Sequence, residues 1–265
     1  MPISDAQGVV LRLLAKNRSL ESYLAGATVL HRQPQSPRYS QDLDFFHDLA
    51  DSIASSAEQD VLTLREAGHE VTWLLRTPVM YQALVTVGGG SVKLEWAQDS
   101  AFRFFPIRPD PLFGYCLDDA DAAVNKMLAL AGRTEIRDFV DVLHLHEHIL
   151  SVGALAWAAC GKDPGYTPDF LLDQAARHTA YTQDDLEQLV LREPLDLRDL
   201  KRRWLEALDE ARELVRQLPA GDVGCLYLGK DGRPVEPKPG TEGFKLLTRH
   251  RGSVKGAWPR VEGFS

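Results

Sequence analysis

The chain of 265 residues is long enough to bury a substantial core, as one large domain or two small ones. A composition of 44% hydrophobic and 26% charged residues is that of an ordinary globular protein, without the apolar run that a membrane span requires. The net charge of −8 argues against a protein that coats nucleic acid non-specifically. The N-terminus has no signal-peptide pattern, and the three cysteines lack metal-ligand spacing, so we expect free thiols in the cytoplasm.

The N-terminal half alternates between helical and strand patterns. Hydrophobic spacing predicts helices over residues 5–18, 28–32 and 47–67. Period-two or β-rich segments predict strands over 22–25, 39–46, 71–76, 80–87 and 91–97. Gly26-Ala27 is predicted to be a turn between strand and helix. Gly88-Gly89-Gly90 is predicted to be a hairpin turn, because it lacks the Lys-Ser/Thr of a P-loop.

The pattern changes after residues 103–114, which contain three prolines and are predicted to be a connector. Helices are predicted over 118–130, 136–150, 153–160, 168–178, 183–191 and 197–218. Beyond them we predict a hairpin over 224–235 and an irregular segment over 237–265. The predicted fold class is α+β, with an N-terminal mixed sheet followed by a mainly helical part. The predicted domains are residues 1–112, 113–218 and 219–265.

Asp42 and Asp44 are the strongest candidates for a chemical site. On a strand, residues i and i+2 face the same way, so both carboxylates would project from one face. Two such charges repel unless a cation lies between them, and Mg²⁺ prefers carboxylate oxygens. The Gly26-Ala27 turn would let backbone approach a phosphate. An Asp-x-Asp alone, however, more often ends an ordinary surface strand.

The alternation of apolar and charged residues in the predicted strand at 92–96 indicates a third candidate carboxylate. Val92, Leu94 and Trp96 share one face, and Lys93 and Glu95 share the other. If this strand lies beside the Asp42/Asp44 strand, Glu95 becomes a third ligand for the same metal. Otherwise Glu95 lies on the exposed face of an antiparallel sheet.

Two segments together resemble the nucleotidyltransferase AbiEii/AbiGii toxin family. The first is Leu24-Ala-Gly-Ala-Thr28 followed by Arg38-Tyr-Ser-Gln-Asp-Leu-Asp-Phe-Phe46, which resembles the family's glycine-rich turn and Arg/His-x-Ser-x-Asp-Leu-Asp-Phe segment. The second runs from Asn125 to Leu143 and contains a lysine, an arginine and Arg-Asp-x-x-Asp. The resemblance covers about residues 15–150 and implies a polymerase-β-like nucleotidyltransferase domain.

The resemblance also implies a metal site and a nucleotide site. Asp42, Asp44 and Glu95 would hold Mg²⁺ or Mn²⁺ against the triphosphate of an NTP substrate. Glu95 stands where an aspartate is common in the wider superfamily. The residues implied to bind the nucleotide are Gly26, Ala27, Thr28, Arg38, Ser40, Lys126, Arg133 and Arg137. Ala27 replaces a serine that some members direct at phosphate, and Thr28 is its candidate substitute.

Asp138 and Asp141 match the Arg-Asp-x-x-Asp segment. The resemblance implies that one of them holds Lys126 or an arginine in place and that the other positions the acceptor. The alternative is that these residues have no catalytic role. Lys126 would then be a solvated helix residue, and Arg137, Asp138 and Asp141 would form a structural ion pair. His144, His146 and His148 recur at every second position, and on a helix three such residues cannot converge on one ion.

The leading hypothesis is therefore an Mg²⁺-dependent nucleotidyltransferase, similar to the toxin of a type IV toxin–antitoxin or phage-defence pair. The acceptor implied by the resemblance is RNA such as tRNA, and the implied protein partner is a cognate antitoxin. The alternatives are transfer to a protein or small-molecule hydroxyl, and a non-catalytic nucleotide-binding module. Residues 230–265 carry eight basic against four acidic residues, a net charge of +4, against −12 for the rest. This segment is either a phosphate-backbone contact or a solvated tail.

Overall fold

The computed structural model describes residues 3–32 and 35–259, apart from the side chain of His178. The chain divides into two compact units, and both are discontinuous in sequence. The first unit comprises Met1–Ala101 and Pro106–Ala122, and the second comprises Phe102–Phe105 and Ala123–Ser265.

Helices and strands alternate through residue 66, and six strands then follow one another before the next helix. In order they are α1 (Asp5–Leu14), β1 (Ser22–Ala25), α2 (Gly26–Leu30), β2 (Asp42–His47), α3 (Ile53–Glu66), β3 (Glu70–Thr77), β4 (Met80–Val87), β5 (Gly90–Gln98), β6 (Phe102–Arg103), β7 (Arg108–Asp110), β8 (Gly114–Cys116) and α4 (Asp119–Gly132). Helix α1 begins with a capping box, in which Ser4 and Gln7 satisfy each other's backbone amides.

The first unit is built on one mixed sheet of seven strands, in the order β3-β4-β5-β2-β1-β8-β7. Strand β2 lies near its centre, parallel to β5 and antiparallel to β1. Helices α1 and α3 pack against the sheet. Leu43 and Phe45 of β2 and Trp96 of β5 are buried, which follows from the period of two along each strand. The side chains between them project from the opposite face.

A buried ion pair supports β2 from the helical side. Asp60 of α3 receives hydrogen bonds from the Arg18 guanidinium, from Asn17 and from the Trp96 indole. The guanidinium of Arg18 also lies over the Phe45 ring, 4.3 Å from its centroid. Burial lowers the pKa of Arg18 and raises that of Asp60, and the attraction between the two charges opposes both shifts. The pair therefore fixes the end of α1 and α3 behind the strand that carries Asp42 and Asp44.

The second unit is mainly helical. After α4 it contains α5 (Ile136–His148), α6 (Val152–Lys162), α7 (Pro168–Ala175), α8 (Gln183–Glu187), α9 (Leu197–Gln217), β9 (Cys225–Leu228), α10 (Glu242–Lys245), β10 (Thr248–Arg251) and β11 (Ser253–Val254). Helix α9 packs against α5, α6 and α7, and its buried Trp204 lies edge-on to Phe139. Strand β10 pairs with β9, and β11 pairs with β6 from the middle of the chain.

The predicted α+β class is confirmed, and strands β1 to β5 lie within a few residues of their predicted positions. Three local predictions need correction. The predicted connector at 103–114 contains strand β7 and the start of β8, which join the main sheet. The predicted hairpin at 224–235 is present but short: its two arms form one bridge, Leu228–Pro234, with hydrogen bonds from the Gly229 amide to the Arg233 carbonyl and from the Val235 amide to the Tyr227 carbonyl, while the ladder partner of β9 is β10. The segment from 237 to 259 is irregular only in part, because it contains α10, β10 and β11, and residues 260–265 lie outside the described residues.

The three predicted domains stay predictions. Among the described residues, no helix combines the length and apolar character needed to cross a membrane. The three cysteines are free thiols, and all are buried.

Candidate active site

Asp42 and Asp44 lie on one face of β2, and both are half-buried. In the parallel pairing with β5, Asp42 is opposite Lys93 and Asp44 is opposite Glu95. Side chains opposite each other in a ladder share a face of the sheet. The structure therefore brings three carboxylates and one ammonium group to the sheet face that α1 and α3 leave uncovered.

Gly26 makes the closest approach to this carboxylate group. Its φ of +66° lies in the left-handed region that favours glycine. A Cβ atom on this residue would lie 2.0 Å from Oδ2 of Asp44 and 2.7 Å from its Cγ. The Asp44 carboxylate thus occupies the space that a side chain at position 26 would fill. Glycine is required here both for the backbone conformation and for the contact.

The hydroxyl groups around the turn hold the start of β2. Thr28 Oγ1 donates a 2.8 Å hydrogen bond to the carbonyl of Asp42, and Ser40 Oγ donates one of 3.0 Å to the same oxygen. Both residues are buried, as is Arg38, whose Nη1 donates to the Tyr39 carbonyl at 3.2 Å. The Thr28 hydroxyl, the candidate substitute for a phosphate-facing serine, therefore bonds to backbone in this structure.

Glu95 is held by its neighbours on the sheet. Its Oε2 accepts a 2.7 Å hydrogen bond from Gln82 Nε2 of β4 and lies 3.5 Å from the Lys93 ammonium nitrogen. In the described part of the chain, no three His, Cys, Asp or Glu side chains are arranged as a complete metal-binding group. The parallel pairing of β2 and β5 that the Glu95 hypothesis required is present.

The first unit offers a donor set that suits a hard divalent cation. Asp42 and Asp44 supply carboxylate oxygens from adjacent positions on one strand face, which are ligands that Mg²⁺ and Mn²⁺ accept. The absence of a side chain on Gly26 leaves room for the Asp44 carboxylate. The residues therefore fit a Mg²⁺ or Mn²⁺ ion.

A second charged cluster lies in the second unit, around Lys126 of α4. The Lys126 ammonium nitrogen is 2.8 Å from Asp138 Oδ1 and 3.2 Å from Asp141 Oδ2. Arg133 donates from Nε to Asp138 Oδ2 at 2.7 Å. The side chains of Asp138 and Lys126 are almost fully buried, whereas that of Arg133 is 50% exposed. The structure therefore brings together four of the predicted residues, and Lys126 is not a solvated helix residue.

Charge balance inside this cluster keeps Asp138 ionised. Burial raises the pKa of Asp138, but the charge of Lys126 and hydrogen bonds from Arg133 and Lys126 outweigh it, so the pKa lies below the usual range. Asp138 also lies in the first turn of α5, where the helix dipole favours a negative charge. Lys126 and Arg133 thus share one buried carboxylate, and Asp141 supplies a second carboxylate to Lys126.

The remaining candidates are more peripheral. Arg137 is 39% exposed on its side chain, and its Nε lies 3.9 Å from the Glu135 carboxylate. The rings of His144 and His148 are tilted by 33° with their centroids 4.2 Å apart, and the Val152 amide donates to His146 Nδ1 at 3.2 Å. These three histidines do not converge on one point.

Sequence reasoning missed several supporting residues. The Arg18–Asp60 pair was not predicted, although Asp60 interrupts the apolar stripe of α3 formed by Ile53, Ala57 and Leu64, which is a signal of a paired buried charge. Nothing in the local sequence around Gln82 indicated its contact with Glu95, because that contact depends on the register between β4 and β5.

The known proteins that this chain is similar to are described as nucleotidyltransferases. The family model described as nucleotidyl transferase AbiEii toxin, type IV TA system, matches residues 12–220. The structure resembles MenT4, nucleotidyltransferase toxin Rv2826c from Mycobacterium tuberculosis H37Rv, with a TM-score of 0.57 and 18% identity over 82% of this chain and 83% of that one. It also resembles a putative nucleotidyltransferase from H. pylori, with a TM-score of 0.52 and 18% identity over 79% and 93% of the two chains. No curated protein matches the sequence significantly.

Proposed function

Because the chain belongs to the AbiEii family of nucleotidyltransferase toxins of type IV toxin–antitoxin systems, we propose that it transfers a nucleotide from an NTP to RNA. In this proposal the acceptor is a tRNA, and Asp42 and Asp44 hold the divalent cation that the reaction requires. The observation that carries the proposal is the contact between Asp44 and Gly26, which joins the glycine turn to the aspartate pair in one structure.

The metal ligands are proposed from the face of β2. Asp42 and Asp44 would bind Mg²⁺ or Mn²⁺ directly, and Glu95 would be the third carboxylate. When bound, the cation would neutralise phosphate charge and favour deprotonation of the attacking hydroxyl. Gln82 would orient Glu95 through the hydrogen bond that it already donates. Thr28 and Ser40 would fix β2 through the Asp42 carbonyl.

Lys126 is the proposed phosphate-binding cation of the second unit. It is nearly buried, so its interaction with a phosphate would be screened less by water than that of a surface lysine. Asp138 and Asp141 are proposed as positioning residues, because both contact the Lys126 ammonium group. Arg133, anchored by Asp138 yet half exposed, would add a second phosphate contact, and Arg137, whose side chain is 39% exposed, a third.

The C-terminal segment supports RNA as the acceptor. Lys230, Lys238 and Arg251 are exposed, and none of them has a carboxylate partner within residues 3–32 and 35–259. Arg251 instead donates to the Val223 and Gly221 carbonyls, so its positive charge is not neutralised. Uncompensated cations are the groups that bind a phosphate backbone. The family also implies a cognate antitoxin, and the buried thiols accord with the proposed cytoplasmic location.

Each labelled NTP, incubated with the full-length protein, Mg²⁺ and a cell extract, tests the reaction. We expect label in small RNA, with loss of about a hundredfold to a thousandfold in Asp44→Asn and no change in the control Asp51→Asn, an aspartate outside the sheet. Label in protein or in small molecules would replace the RNA acceptor in the proposal. Transfer that survives Asp44→Asn, or no transfer by a folded wild-type protein, would refute the proposal.

A further inference from the structure

Lys93 is a charged residue on the carboxylate face that neither family segment includes. It lies opposite Asp42 in the β2–β5 ladder, and its ammonium nitrogen is 3.5 Å from Glu95 Oε2. Its side chain is 33% exposed, so its charge is partly shielded from water. A positive charge therefore lies beside the three carboxylates on this face of the sheet.

The contact between Lys93 and Glu95 is loose enough to be exchanged. Its length of 3.5 Å exceeds the 2.7–2.9 Å of a charge-assisted hydrogen bond. Glu95 also has a shorter partner, Gln82 at 2.7 Å, which would keep it oriented if Lys93 moved away. A lysine ammonium on a flexible four-carbon stem can move several ångströms by rotamer changes alone.

We propose that Lys93 is an internal counter-cation that competes with the divalent metal at Glu95 and, once displaced, contacts the phosphates of the NTP. This inference rests on the proposed metal site and names an additional residue of that site. A metal ion carries twice the charge of the ammonium group and repels it when both lie beside the same carboxylates. The phosphates that accompany the metal supply the displaced ammonium with new acceptors.

The inference predicts opposite effects on two equilibria. Replacing Lys93 by methionine removes the competing charge, so Mn²⁺ should bind the nucleotide-free enzyme about tenfold more tightly. The same change removes a phosphate contact, so a nucleotide should bind the Mn²⁺-loaded enzyme about tenfold more weakly. A merely structural lysine would leave both affinities unchanged or weaken both.

The experiment measures Mn²⁺ binding by the electron paramagnetic resonance of free Mn²⁺, and nucleotide binding by calorimetry with α,β-methylene NTPs. The variants are Lys93→Met, Lys93→Arg, Asp44→Asn and the control Lys16→Met, which changes the other lysine of the first unit. We expect opposite shifts in Lys93→Met, near wild-type values in Lys93→Arg, and no shift in the control.

Two outcomes overturn the inference in distinguishable ways. Unchanged or weaker Mn²⁺ binding by Lys93→Met, with Mn²⁺ binding lost in Asp44→Asn, refutes the role of Lys93 and leaves the metal site intact. Mn²⁺ binding that survives Asp44→Asn refutes the metal site itself, and the role of Lys93 with it.

Discussion

Replacing Gly26 by alanine would test the contact on which the active-site proposal depends. The new Cβ would lie 2.0 Å from Oδ2 of Asp44, whereas real Cβ contacts essentially never fall below 3.0 Å, so the oxygen must move by at least 1.0 Å. A displacement of about 1 Å at a reacting centre costs about a hundredfold in rate. The alanine would also be strained at φ +66°, at a cost of about 1–2 kcal/mol.

The matched control is Gly68→Ala, because Gly68 has a φ of +85° but a Cβ there would meet nothing within 4 Å. Both variants should lose about 1–2 kcal/mol of unfolding free energy in urea titrations. Only Gly26→Ala should lose about a hundredfold in nucleotidyl transfer, measured with labelled NTP under conditions in which it is folded. Equal transfer by the two variants would show that the position of Asp44 does not depend on Gly26.

Asp138→Asn should lower the unfolding free energy by about 3 kcal/mol and reduce transfer, because Lys126 keeps only its longer contact with Asp141. The control is Glu135→Gln at an exposed carboxylate, and equal urea midpoints for the two would contradict the buried pair. Burial, and to a lesser degree the charge of Arg18, lowers the pKa of His47 to about 4. Its stabilising contribution is full above about pH 6.5 and falls by about 3 kcal/mol as the pH drops to 4, because only the unfolded chain binds the proton. Urea titrations at pH 7.5 and pH 5 should show about 2 kcal/mol of this loss, and His47→Gln should remove it; the same difference in the variant would exclude His47 as its source.

Local sequence patterns were sufficient for the elements that carry the carboxylates. The alternation in β5 correctly placed Lys93 and Glu95 on one face and Val92, Leu94 and Trp96 on the other. The start of β2 was misplaced by three residues, because the Ser40 side chain bonds to the Asp42 carbonyl and holds residues 39–41 outside the ladder. Periodicity thus predicted the faces better than the ends.

Long-range pairing was the part that local patterns could not supply. Strands β7 and β8 have three residues each and include Pro109, so they have no period long enough to recognise. Strand β9 is followed by a glycine turn that leads back to a single bridge, Leu228–Pro234, whereas its ladder partner β10 lies about twenty residues further along the chain. The same limit applies to the site, since the partners of Lys126 lie on a different helix and no spacing rule selects Asp138 over Asp141.

The pairing of β6 with β11 has a practical consequence for dissecting this protein into fragments. Residues Phe102–Phe105 belong to the second unit, although residues on both sides of them belong to the first. A single cut therefore cannot release both units with all their strands. Truncation after residue 220, where the family match ends, would also remove β11 and leave β6 without its ladder partner. Expression of the separate halves is better attempted by co-expression or circular permutation than by simple truncation.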